Sequence, residues 1–93
     1  MSNEANKEYL DWLDRVIHQG DEIKPRIFAG LLRGAMNKTN PFKFQREIAG
    51  RFGVDDPVMI RFWAEGQVLP PTEKFREILQ AVYDYVNETP ASS

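Results

Sequence analysis

The chain has 93 residues, with 12 Lys plus Arg against 14 Asp plus Glu, a formal net charge of −2 and no cysteine. A chain of this size holds one small core and not a multi-domain enzyme architecture, and without thiols it has no disulfide framework, thiolate metal site or cysteine nucleophile. No apolar run approaches the roughly 20 residues of a membrane-crossing helix, and the start Met1-Ser2-Asn3-Glu4 has neither the basic nor the apolar region of a leader, so a cytoplasmic protein with no membrane partner is expected.

In chain order, Tyr9, Leu10, Leu13, Val16 and Ile17 recur at helical spacing between Ala5 and Gln19, with Glu8, Asp11, Asp14 and Arg15 on the other face, and Gly20 is a stop signal. Pro25 suits the first turn of a second helix, whose stripe of Ile27, Phe28, Leu31, Leu32, Ala35 and Met36 runs to about Asn37. Gly30 and Gly34 fall inside that helix, at a cost that close approach of another helix would offset. After the polar connector Asn37-Lys38-Thr39-Asn40-Pro41, a third helix from about Phe42 to Phe52 turns Phe44, Ile48, Ala49 and Phe52 inward and ends at Gly53. Asp55 or Asp56 can cap a fourth helix with Pro57 at its start, Met59, Ile60 and Trp63 on its buried side and Gly66 at its end. Beyond Pro70 and Pro71, the stripe Phe75, Ile78, Leu79, Val82, Tyr83 and Val86 marks a last helix to about Asn87, and residues 88–93 read as a flexible tail. The fold class predicted is all-α: a compact bundle of about five helices in a single domain, with residues 1–23 an added N-terminal helix and residues 24–87 the domain proper.

The charges are not spread evenly. Residues 1–23 carry two basic against six acidic residues, a net of −4; residues 24–61 carry eight against three, a net of +5; residues 62–93 carry two against five, a net of −3. A near-neutral total therefore hides a basic middle, the pattern that matters for contact with phosphate.

That basic segment contains Gln45-Arg46-Glu47-Ile48-Ala49-Gly50-Arg51-Phe52-Gly53-Val54, followed by Asp55-Asp56-Pro57-Val58-Met59-Ile60-Arg61-Phe62-Trp63-Ala64-Glu65-Gly66 and Pro70. Two short helices flank a glycine turn. Ala49 is small enough for the second helix to cross closely, Gly53 permits a left-handed turn, and Val54 and Ile60 fill the wedge between them. In these residues, from Gln45 through Ile48-Ala49, Gly53-Val54, Ile60, Trp63, Gly66 and Pro70 to the periodic helix from Phe75, the chain resembles the lambda-repressor-like helix-turn-helix regulators of the Cro and phage-repressor type. The resemblance covers roughly residues 24–82. It implies a double-stranded DNA-binding transcriptional regulator, repressor-like and usually a homodimer on two half-sites, with no cofactor. It also implies Gln45 near a phosphate and the exposed positions of residues 56–62 at base edges. The chain departs from the family in a longer interval between Gly53 and Ile60, in the position of its acidic residue Glu65, in the added N-terminal helix, in a longer, uninterrupted C-terminal helix and in a recognition helix whose one evident polar reader is Arg61.

On this reading Lys38, Lys43, Arg46 and Arg51 contact phosphates, and Arg61 reads a base or binds phosphate. Val58 and Phe62, expected to be exposed, contact thymine methyls, with Met59 beside them. The DNA-binding set is thus Lys43, Gln45, Arg46, Arg51, Val58, Met59, Arg61 and Phe62. Each has a plainer alternative: Arg61 paired with Glu65 one turn on, the lysines and other arginines as solvated charges, and Val58 with Phe62 as an apolar patch for a protein partner on a scaffold that no longer binds DNA. Asp55 and Asp56 read as caps, Trp12 and Trp63 as core or interface aromatics, and His18 as a surface histidine near a helix end. Asp14 with His18 is too few ligands for a metal. A Ser/His/Asp set would need Ser2, Ser92 or Ser93 at the chain ends, and no phosphate-cradling glycine loop is present, so no enzyme activity is expected.

Overall fold

A computed structural model describes the backbone of residues 2–89 and the side chains of residues 6–89. Five α-helices follow one another: α1 Ser2–His18, α2 Pro25–Lys38, α3 Pro41–Arg51, α4 Val58–Glu65 and α5 Phe75–Glu88, the last entered through a single 3₁₀ turn at Thr72–Lys74. Among the described residues there is no strand, and no helix is long and apolar enough to cross a membrane. The all-α bundle of five helices is the architecture that the periodicity predicts.

α2 is the central element, packed against α4 most extensively and also against α5, α3 and α1. Its predicted stripe explains why: Phe28, Leu31, Leu32 and Ala35 are completely enclosed, with Ile27 and Met36 half-buried at the margins. Phe28 stacks on Phe75 of α5, ring centroids 4.2 Å apart and 8° from parallel, and meets Trp63 of α4 at 6.4 Å. Phe44 of α3 meets Tyr85 of α5 edge-on at 5.6 Å. Aromatic pairs in these geometries stabilise by about 0.5–1.5 kcal/mol beyond the area they bury.

α1 lies mainly on α5 and touches α2, burying Tyr9, Leu13, Val16 and Ile17. Tyr9 reaches across to donate its hydroxyl hydrogen bond to the Leu31 carbonyl, and burial pushes its phenol above the usual tyrosine range. The α1 C-terminus is tied down from α5. Arg76 donates from Nε to the Ile17 carbonyl at 2.6 Å and from Nη2 to the Gln19 and Asp21 carbonyls at 3.0 and 3.2 Å, giving partners to main-chain oxygens that a helix end leaves free. The N-terminal helix is thus an integral part of the core. Trp12 stands outside that core at 43% exposure, whereas Trp63 is buried.

The last helix ends one residue past Asn87. Glu88 is the last residue of α5, and Thr89 caps it by donating from its amide to the Tyr85 and Val86 carbonyls and from its hydroxyl to the Tyr85 carbonyl at 2.7 Å. The remainder of the predicted tail, residues 90–93, lies outside the described residues.

The two glycines of α2 differ in what surrounds them. A Cβ at Gly34 would lie 2.9 Å from Tyr9 Cε1, on a ring held by burial and by its hydrogen bond, whereas one at Gly30 would meet only the tip of Arg33 at 3.9 Å. Gly34→Ala should therefore lose about 1–2 kcal/mol, the overpacking cost exceeding the helix-propensity gain. Gly30→Ala should gain about 0.5–1 kcal/mol. Thermal unfolding followed by circular dichroism should shift the two midpoints in opposite directions; a higher midpoint for Gly34→Ala would show that α1 does not hold Tyr9 against α2.

Candidate nucleic-acid interface

The segment of interest is α3, the turn over residues 52–57, and α4. Asn40 caps α3, its Oδ1 accepting from the Lys43 amide at 3.0 Å, and Pro41 occupies the first turn where no N–H is needed. α3 ends in a left-handed glycine turn: Gly53 has φ +66°, and the Val54 amide donates back to the Ala49 carbonyl at 2.9 Å. Asp56 then caps α4, Oδ1 accepting from the Val58 amide at 3.1 Å, so the two turn carboxylates divide into one cap and one free exposed side chain, Asp55. α4 ends in the same way as α3, with Gly66 at φ +77° and the Gln67 amide donating to the Phe62 carbonyl at 3.1 Å. α3 and α4 pack on each other, with Ala49, Ile60, Trp63 and Ala64 buried, while Val54 packs half-buried against the core.

Of the predicted DNA-binding residues, Lys43 and Arg46 are exposed on α3 and form no ion pair among the described residues. Arg51 is exposed at the other end of α3, but its Nε–H is taken by Glu47 at 2.9 Å. That hydrogen bond raises the guanidinium above its ordinary value, with smaller attractions from Glu88 and Asp84 of α5, so Arg51 sits in acidic company. Arg61 is exposed on α4, and its Nε–H donates to Glu65 Oε2 at 3.1 Å. Lys38 is half-buried, its ammonium 5.8 Å from the centroid of the Tyr9 ring.

Three placements differ from expectation. Gln45, expected near a phosphate, lies in the second turn of α3 and is only 8% exposed. Val58 and Phe62 are half-buried, since α4 is short and its apolar residues wrap toward α2 and α3. Met59 is likewise half-buried against the core. Phe42, which no sequence argument singles out, is 74% exposed beside Lys43.

Sequence reasoning also missed three polar features. The Asn40-Pro41 dipeptide is a recognisable cap signal inside what reads as a connector. Arg26 and Arg33, seven residues apart on α2, line one depression with Glu65, Gly66 and Leu69 at the end of α4, a long-range juxtaposition with no local signal. Gln67 donates from Nε2 to Glu65 Oε1 at 3.0 Å. Elsewhere, His18 is a surface residue with Nδ1 3.1 Å from Asp14 Oδ1, and no cluster of metal-ligating side chains occurs among the described residues. Comparison with family models, curated proteins and solved structures returned no match, so the site is read from its own residues.

The relation between α3 and α4 depends on the turn between them. Gly53→Ala forces a Cβ into left-handed backbone with open space around it, so the cost is conformational and should be about 1–2 kcal/mol. Gly50→Ala, in a helical position with nothing within 4 Å, should be neutral or stabilising. Chemical denaturation of both variants tests the assignment, and equal midpoints would contradict it.

Proposed function

We propose that the chain is a small DNA-binding regulator of lambda-repressor-like helix-turn-helix type. The observation that carries this reading is the α3–turn–α4 unit itself: two capped helices joined through left-handed Gly53, with Ala49 and Ile60 buried and Arg61 on the outer side of the second helix. In this reading α4 enters the major groove, which is about 12 Å wide and admits one helix. Lys43 and Arg46 neutralise phosphates, and the lack of a carboxylate partner for either among the described residues supports that role. Arg61 reads a base edge, while Val58 and Phe62 offer their outer atoms to thymine methyls. Pairing of two copies would set half-site spacing at about 34–36 Å, and regulation would act by occupancy of the site in the cytoplasm. No cofactor is invoked.

A second reading is favoured by one group of observations. Phe42 stands 74% exposed next to Lys43, Arg51 and Arg61 are both engaged by glutamates, and α4 presents apolar Val58 and Phe62. A protein-binding module on the same scaffold would use these apolar side chains.

Salt dependence separates the two. Duplex affinity should fall steeply with salt, and Lys43→Ala or Arg46→Ala should each reduce the magnitude of the log–log slope by about 1. Arg51→Ala should change it less, because Glu47 already holds that guanidinium. Fluorescence anisotropy with a labelled duplex across a salt series gives all three slopes. Absence of duplex binding at low salt would remove the regulator reading.

A further inference from the structure

The end of α4 carries an arrangement that charge placement alone does not explain. Glu65 is the last residue of α4, at the negative end of the helix dipole, where a carboxylate is unfavourable. It also follows Arg61 by one turn, the weaker order for such a pair. The α3 pair has the favourable order, with Glu47 preceding Arg51.

Glu65 is nevertheless held on both oxygens. Oε2 accepts from Arg61 Nε at 3.1 Å and Oε1 accepts from Gln67 Nε2 at 3.0 Å. Gln67 is itself fixed by its amide hydrogen bond to the Phe62 carbonyl through the left-handed turn at Gly66. The basic residues Arg26 and Arg33 border the same depression. Glu65 thereby engages Arg61 through Nε alone. The two terminal nitrogens of that guanidinium have no partner among the described residues, and the Arg61 side chain is 60% exposed. A guanidinium steadied at Nε keeps its outer edge available, and that edge is the fork that matches guanine O6 and N7.

We infer that Glu65, itself braced by Gln67, is a positioning residue that sets the plane of Arg61 for bidentate contact with a guanine, and so determines specificity at one base pair. The inference rests on the DNA-binding reading. It turns the Arg61–Glu65 pair from a competitor of DNA contact into a condition of it.

The test has one arm without DNA and one with it. In the free protein, nitrogen-15 NMR should find the Arg61 Nε–H protected from water exchange, and Glu65→Ala should abolish that protection. A wild-type Nε–H that exchanges as freely as in Glu65→Ala would overturn the positioning role, whatever the protein binds. In the second arm, a preferred duplex is selected from a randomised pool with the wild-type chain, and affinity is measured for it and for each single-base-pair variant. Glu65→Ala should lose about tenfold discrimination at one G·C pair. Arg61→Lys should lose it at the same pair, and the double variant should lose no more than the larger single effect, with the salt slope of Glu65→Ala unchanged. Uniformly tighter binding by Glu65→Ala with discrimination intact would show that the carboxylate only competes for Arg61. Failure of the wild-type chain to bind any duplex would overturn the specificity role together with the DNA-binding reading. Glu65 is exposed, so its variants should fold, with circular dichroism spectra that match the wild type.

Discussion

Phe28 is the joint on which the rest of the molecule depends. Its ring lies flat on Phe75 and within reach of Trp63, so one fully enclosed side chain couples α2 to both α4 and α5. α4 has only eight residues, too few to hold helical structure in water by its own hydrogen bonds. It is helical because Ile60, Trp63 and Ala64 are buried. The place of Arg61 on the outer side of α4 follows from that packing.

The ends of the chain reinforce the same frame. α1 contributes its apolar face to the shared core, and the Tyr9 hydroxyl and the Arg76 guanidinium join it to α2 and α5 by hydrogen bonds across long sequence separations. Acidic residues concentrate toward the termini, and Asp84 and Glu88 of α5 reach the field of Arg51. The basic middle is thus unequal in its freedom: among the described residues Lys43 and Arg46 have no carboxylate partner, while Arg51 and Arg61 are held. In the proposed function this inequality divides the work between residues that attract phosphate and a residue oriented to read a base.

Much of the fold is legible in the sequence, because the apolar stripes of α2 and α5 repeat strongly and Gly53 and Gly66 punctuate the ends of α3 and α4. The stripe positions Phe28, Leu31, Leu32, Ile78, Leu79 and Val82 are all buried as their periodicity requires. The site is less legible. Gln45 looks like a phosphate neighbour in the sequence, but it lies in the second turn of α3 with its side chain buried. Val58 and Phe62 look exposed on a helical wheel, but a helix clasped between neighbours shields more than one face. The bracing of Glu65 by Gln67 and the approach of Arg26 and Arg33 depend on a left-handed turn and on tertiary packing, neither of which leaves a periodic trace. Local patterns report what each helix buries; which side chains meet at its end is decided by the packing of the whole.

The central claim is that the outer surface of α3 and α4, and not that of α1 and α5, meets the phosphate backbone. Titration of the nitrogen-15-labelled chain with a short duplex at low salt tests it most directly. The account predicts amide shift changes concentrated at Lys43, Arg46 and residues 58–62, with α1 unaffected. Changes confined to α1 and α5, or none along α3 and α4, would contradict it.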